Sequence, residues 1–168
     1  MNLLLLALIV LVLVFSLVIF FGAPYLPTLK KRIDDAFELL DLKPGDTLLE
    51  LGSGDGRVLR RAAQMGIKGI GYELNPLLVW YSQISCWRYR KLVTFKCRNF
   101  WQVKLPECDG IYVFLLDKYM QKLDTKIIQE TDMQIKLVSY AFKIPGRNPI
   151  AKKGGLMLYE YKPTKLTS

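Results

Sequence analysis

Apolar residues fill positions 3–21 with only Ser16 interrupting, a density that no later stretch repeats. At ~1.5 Å per helical residue, such a run spans about 28 Å, close to the thickness of a bilayer core. A secretory signal is the competing reading. Against it, no basic segment precedes the run, the run exceeds a usual signal core, and no clear small-x-small cleavage site follows. Residues 1–23 are therefore expected to form a retained transmembrane helix. Pro24-Tyr25-Leu26-Pro27 then gives a short stiff connector. Leu29, Ile33, Ala36, Phe37 and Leu40 recur at helical spacing and predict an amphipathic helix over 28–41. Lys43-Pro44-Gly45-Asp46 reads as a turn into a strand at 47–51. Val58, Leu59, Ala62 and Ala63 mark a helix running to about Met65, with Gly66 as its stop. A second strand is expected at 67–72.

Asn75-Pro76 is a good N-cap and first-turn pair. The helix it opens carries Leu77, Trp80, Tyr81, Ile84 and Trp87 on one face, a stripe expected to be core. Further strands are predicted at 93–97, 110–116, 135–142 and 156–161, with a helix through Met120, Leu123, Ile127 and Ile128 that Asp117 can cap. Strands alternating with helices predict a Rossmann-like, doubly wound, mostly parallel α/β sheet with right-handed crossovers. The expected organisation is an anchor at 1–23, a connector with amphipathic helix at 24–46, and one domain at 47–168.

Charge adds an orientation. All 24 Lys and Arg lie beyond the apolar run, and the net charge is +9. Lys30, Lys31 and Arg32 follow the run and no charge precedes it, so the positive-inside rule places the following domain in the cytoplasm. A basic surface suits anionic lipid headgroups, nucleic acid or an acidic partner, the lipid surface being the plainest for an anchored domain. Cys86, Cys97 and Cys108 form no C-x-x-C pair and read as reduced thiols rather than a metal site. The chain has no histidine, which excludes Ser-His-Asp and Cys-His catalysis.

The candidate chemistry sits in Glu50-Leu51-Gly52-Ser53-Gly54-Asp55-Gly56, between the first strand and the next helix. Glycines there allow positive φ and close approach of backbone to a ligand, and the helix N-terminus offers free N–H groups. Glu73, in Gly71-Tyr72-Glu73-Leu74-Asn75-Pro76, ends the second strand, where an acid can bind both hydroxyls of a ribose. A nucleotide cofactor is implied. A dinucleotide loop wants G-x-G-x-x-G, whereas here the glycines are 52, 54 and 56, and Arg57 stands where the third would fall.

The tighter spacing, with Glu50 and Glu73, resembles motif I and the following acidic motif of class I S-adenosylmethionine (SAM) methyltransferases. The apolar run, Pro24-Tyr25-Leu26-Pro27, Gly-Ser-Gly-Asp-Gly-Arg and Gly-Tyr-Glu-Leu-Asn-Pro resemble, more narrowly, small membrane-anchored protein-lysine methyltransferases. Mitochondrial relatives of that group modify the c-ring protein of ATP synthase and the adenine nucleotide translocase. The resemblance implies SAM as cofactor and a protein substrate at the membrane. It places Gly52, Ser53, Gly54, Asp55 and Gly56 in the cofactor loop, Glu50 at the methionine ammonium, Glu73 at the ribose and Leu74 on an adenine face. Asn99 would bond the adenine edge with Phe100 packing nearby; as a turn residue and a core residue they have an equally plain alternative. Thr28 and Tyr25 would close the methionine end.

Asp117 is the candidate on the acceptor side, to orient an amine or take its proton, beside its alternative as a helix cap. Relatives tend to have proline at that position, and their fold ends in a β-hairpin where this chain shows one clear strand. A nucleic-acid acceptor is disfavoured because Leu115-Leu116-Asp117-Lys118 replaces the Asn/Asp-Pro-Pro-aromatic motif. The basic loop 143–149, with Lys152 and Lys153, would border the acceptor entrance or touch lipid. A lipid or small-molecule methyltransferase and a non-catalytic SAM-binding module are the alternative functions.

Overall fold

The computed structural model describes residues 2–10, 12 and 28–163. Residues 3–10 are helical, with their leucines and isoleucine exposed. No helix among the described residues is long and apolar enough to cross a membrane. Residues 13–23, which the expected anchor needs to reach bilayer length, lie outside the described residues, as do Tyr25 and the rest of the connector through Pro27.

The domain contains four α-helices among the described residues beyond position 28: α1 (Lys30–Leu40), α2 (Arg57–Gln64), α3 (Pro76–Ser85) and α4 (Asp117–Glu130). They alternate with β1 (Thr47–Leu51), β2 (Lys68–Glu73), β3 (Val93–Cys97), β4 (Gly110–Val113), β5 (Ile135–Tyr140), β6 (Ala151–Lys153) and β7 (Leu156–Tyr161). The sheet order is β3-β2-β1-β4-β5-β7-β6. The first five strands are parallel, whereas β7 runs antiparallel to both β5 and β6.

Alternate strand residues feed two cores, as expected of a sheet covered on both faces. Leu48, Tyr112, Val138 and Leu158 pack with α1, α2 and Val79 of α3. Leu49, Leu51, Ile111, Val113 and Leu137 pack with α4 and Phe100. A lone 3-10 turn, Phe100–Gln102, is the regular element between β3 and β4.

The structure corrects the sequence reading in several places. The strand expected at 110–116 stops at Val113, and the strand expected at 135–142 stops at Tyr140. Beyond those points the chain turns to pack rather than pair: Phe114 stacks on Tyr140 with ring centroids 4.7 Å apart. The β6–β7 hairpin is present, closed by Gly154 and Gly155, both at positive φ, the backbone a two-residue hairpin turn demands. Asp117 does not cap α4. The N-cap is Leu116, without a side-chain cap bond, and Asp117 is the first helical residue.

Finally, the α3 stripe is not core: Trp80 is 63% and Trp87 65% exposed, and Leu77, Tyr81 and Ile84 are exposed with them. The buried face of α3 is instead Val79 and Ser82. A Cβ on Gly56 would lie 2.8 Å from the Ser82 Cβ, so helix and glycine turn meet through their smallest residues. That close contact sets the rotation of α3 and turns its large side chains outward.

Candidate active site

In an open parallel sheet, ligands bind beyond the carboxyl ends of the strands, where the strand order reverses. Here that point lies between β1 and β4, and the predicted cofactor residues gather beside it. After β1 the chain turns through Gly52, Gly54 and Gly56, all at positive φ. The Gly52 and Ser53 amides donate to the Tyr72 carbonyl at 2.9 and 3.0 Å, tying the turn to the end of β2. A Cβ on Gly52 would project into open space, leaving its backbone approachable. Gly71 has the opposite reason for being glycine: a Cβ there would come within 2.7 Å of the Ser53 hydroxyl oxygen.

Glu50 is the anomaly of the site. Its side chain is buried, 4% exposed. Glu50 pairs in register with Gly71 on one side and Tyr112 on the other. Glu50 Oε2 and Ser53 Oγ are buried polar atoms without a hydrogen-bond partner among the described residues. Burial above all, and then the charges of Asp55 and Glu73, push the Glu50 carboxyl well above its ordinary pKa; the Leu59 amide and Arg57 pull weakly the other way. A buried carboxylate short of a partner is costly. The chemistry it invites is a cation with N–H donors.

Glu73 closes the other side of the turn. One carboxylate oxygen accepts from the Gly54 amide at 2.9 Å, and the other accepts from Leu74 and Asn75 at 2.8 and 2.9 Å. Three of roughly four lone-pair positions are thus engaged, so contact with both ribose hydroxyls would require one amide to let go. Asn75 caps α3 by accepting from the Leu77 amide at 3.0 Å. Asn99 Oδ1 accepts from the Trp101 amide at 3.0 Å, which leaves its NH2 as the group for a base edge. Phe100 is buried and packs on Trp101 with centroids 4.5 Å apart, so the core alternative describes it here. The Arg98 amide donates to the Glu73 carbonyl, joining this turn to the site.

Thr28 is brought to the site although it lies far off in sequence. Its hydroxyl and that of Tyr112 share a buried hydrogen bond of 3.0 Å. Its carbonyl accepts from Arg57 Nη1 at 3.1 Å, while the same guanidinium grips Asp55 at 2.7 Å. Arg57 and Tyr112 escape the sequence reading. In sequence Arg57 stands out only as a departure from glycine, and Tyr112 as part of an apolar run. Their roles depend on a contact across 84 residues that no local spacing encodes. Asp117 is exposed at the start of α4, four residues past the end of β4 and beyond the Phe114–Tyr140 pair. The loop 143–149 is held by Arg147, which ion-pairs with Asp124 of α4 while the Tyr161 hydroxyl donates to the same carboxylate at 2.7 Å.

The sheet order, the antiparallel β7, and the glycine turn flanked by Glu50 and Glu73 define a class I methyltransferase fold. The family model for the ANTKMT methyltransferase domain matches residues 50–151, and the chain belongs to that family. It is 31% identical over 128 residues to the human lysine N-methyltransferase of the ATP synthase c-ring protein, covering 75% of this chain and 54% of that enzyme. It is 34% identical over 134 residues to the mouse adenine nucleotide translocase lysine N-methyltransferase, covering 78% and 58%. The chain thus spans little more than half the length of these curated relatives. Among solved structures, an RNA methyltransferase from Salinibacter ruber in complex with S-adenosyl-L-homocysteine superposes with a TM-score of 0.75 at 28% identity, covering 84% of this chain and 96% of that one.

Proposed function

We propose that this chain is a SAM-dependent methyltransferase that N-methylates a lysine of a membrane or membrane-adjacent protein. In this reading the apolar run at 3–21 holds the chain in a membrane and the domain faces the cytoplasm. The observation that carries the cofactor is the buried, unpartnered oxygen of Glu50 beside the unpartnered Ser53 hydroxyl. The methionine part of SAM has an ammonium group that fits this need. The lysine acceptor is supported by the names of the two curated relatives.

Bound SAM supplies a methyl group activated by its sulfonium. The chain's own residues do the rest. Glu50 would hold the ammonium and Glu73 a ribose hydroxyl, with charge-assisted bonds that are the stronger kind. Gly52, Ser53, Gly54, Asp55 and Gly56 would present backbone to the ligand, Leu74 an adenine face, and the Asn99 amide its edge. Thr28, pinned by Tyr112 and Arg57, would close the methionine end. Methyl transfer is an in-line displacement, so alignment and exclusion of water do most of the work. Asp117, exposed at the carboxyl edge, would orient the acceptor amine or take its proton.

The test is to incubate the protein and its Glu73→Ala variant with methyl-labelled SAM and membranes from its source, then resolve the products on a gel. A labelled band that disappears in the variant supports protein methylation. Label confined to the organic-solvent extract would sink the lysine reading in favour of a lipid acceptor.

A further inference from the structure

The outward face of α3 is a prominent feature of the domain that the cofactor site does not use. Leu77, Trp80, Tyr81, Ile84 and Trp87 are 41–65% exposed. At ~100° per residue, positions 77, 80, 81 and 84 share one face, opposite Val79 and Ser82. A contiguous exposed apolar patch of this kind marks an interaction surface. Its composition is specific: two tryptophans and a tyrosine, rings with an apolar body and a polar tip that favour the boundary between water and lipid, stand beside two aliphatic residues.

The charge around it is one-sided. From Leu74 to Pro106 the chain holds six cations, Arg88, Arg90, Lys91, Lys96, Arg98 and Lys104, and no carboxylate. The Arg90 guanidinium lies 4.6 Å from the centre of the Trp87 ring, placing a positive charge beside the apolar face. Elsewhere, residues 3–10 expose a second set of aliphatic side chains.

We infer that the outward face of α3, with Arg88, Arg90 and Lys91, docks on an anionic lipid surface as a second membrane contact, separate from the N-terminal apolar run. Aromatic and aliphatic side chains enter the interface, and the cations meet headgroup phosphates. Because α3 begins three residues after Glu73, this contact holds the cofactor end of the sheet near the bilayer. The consequence for catalysis rests on the membrane location proposed above: an acceptor lysine is reached only within a narrow distance of the headgroups.

The test uses the full chain in vesicles of phosphatidylcholine and phosphatidylglycerol with brominated acyl chains. The chain's three tryptophans are Trp80, Trp87 and Trp101. The W101F variant reports α3 alone. The W80F/W87F variant reports Trp101, which packs in the core on the other face of the sheet. Bromine is expected to quench W101F strongly and W80F/W87F little, and the quenching is expected to fall when phosphatidylglycerol is omitted or when Arg88, Arg90 and Lys91 are changed to Glu. Equal or absent quenching in vesicles that carry the protein overturns the inference. Alkaline carbonate extraction reads the N-terminal run separately. Resistance without α3 quenching upholds the anchor and overturns the face; quenching with carbonate release does the reverse. Shielding of Trp80 and Trp87 that deepens with protein concentration in detergent would make the face a contact between two copies, and would also overturn it.

Discussion

Replacing Glu50 by Gln should make the protein more stable and less able to bind SAM, both effects arising from the same atoms. Glu50 is buried with an unpartnered oxygen, and burial, then Asp55 and Glu73, raise its pKa well above the ordinary 4.5. The folded protein therefore keeps the Glu50 proton to a higher pH than the unfolded chain. The sign follows: the stability associated with this proton is fully present below about 4.5 and is lost as pH rises through the folded pKa. Gln keeps the shape without the charge. Relieving a buried unsatisfied group is worth about 1–3 kcal/mol, which for a chain of this size raises the melting temperature by roughly 2–12 °C.

The same change removes a charge-assisted bond to the ammonium, about 1.5–3 kcal/mol, or a roughly 10- to 150-fold weaker Kd. Melting curves between about pH 4 and 8 and calorimetric titration with SAM read both effects. The wild type should lose stability toward the top of that range while its SAM affinity rises, and E50Q should be flatter in both. A less stable E50Q at the alkaline end would show that Glu50 serves the fold as a local cap. An unchanged SAM affinity would remove the ammonium from this position.

Three further outcomes test neighbouring parts of the argument. Gly56→Ala puts a Cβ 2.7 Å from Phe95 Cζ at a φ of +76°; strain and overpacking should cost about 2–5 kcal/mol, measured by urea unfolding, and a loss well under 1 kcal/mol would mean that α3 yields without penalty. Tyr161→Phe removes the hydroxyl that donates to the buried Asp124 at 2.7 Å and should cost about 1–3 kcal/mol in the same assay; no loss would show that Arg147 alone satisfies Asp124. Asp117→Asn should lower kcat about 100-fold or more with SAM binding intact if Asp117 handles the acceptor proton; an unchanged kcat would leave it only the first residue of α4.

Much of the fold is legible in the sequence because its signals are local. The strand at 47–51 is reproduced at both ends, since its apolar run is bounded by the Lys43–Asp46 turn on one side and glycines on the other. Asn75-Pro76 opens α3 by the side-chain bond its residue type predicts. The glycine turn and Glu73 are legible for the same reason: glycine at positive φ and an acid at a strand tip are requirements of backbone geometry. The misses need information from elsewhere in the chain. An apolar run does not distinguish a strand from a buried loop, so 114–116 reads as part of β4. β6 has just three residues, two of them lysines, and its clearest signal is the Gly154-Gly155 turn that follows it.

The α3 stripe shows where periodicity stops being evidence. The spacing of Leu77, Trp80, Tyr81 and Ile84 correctly defines one face; what spacing does not contain is which face meets the sheet. That choice is made by Gly56, whose missing Cβ leaves room for Ser82 alone. The same neighbourhood, Gly56 against Ser82 and Phe95, lies at the end of the cofactor turn. The demand that the turn be tight enough to bring backbone to a ligand therefore also fixes the rotation of α3. A larger residue at 82 would push α3 off the turn, and a larger residue at 56 would do the same from the other side. The outward aromatic face is thus a structural consequence of the cofactor loop, and any surface it docks on is held at a set position relative to Glu73.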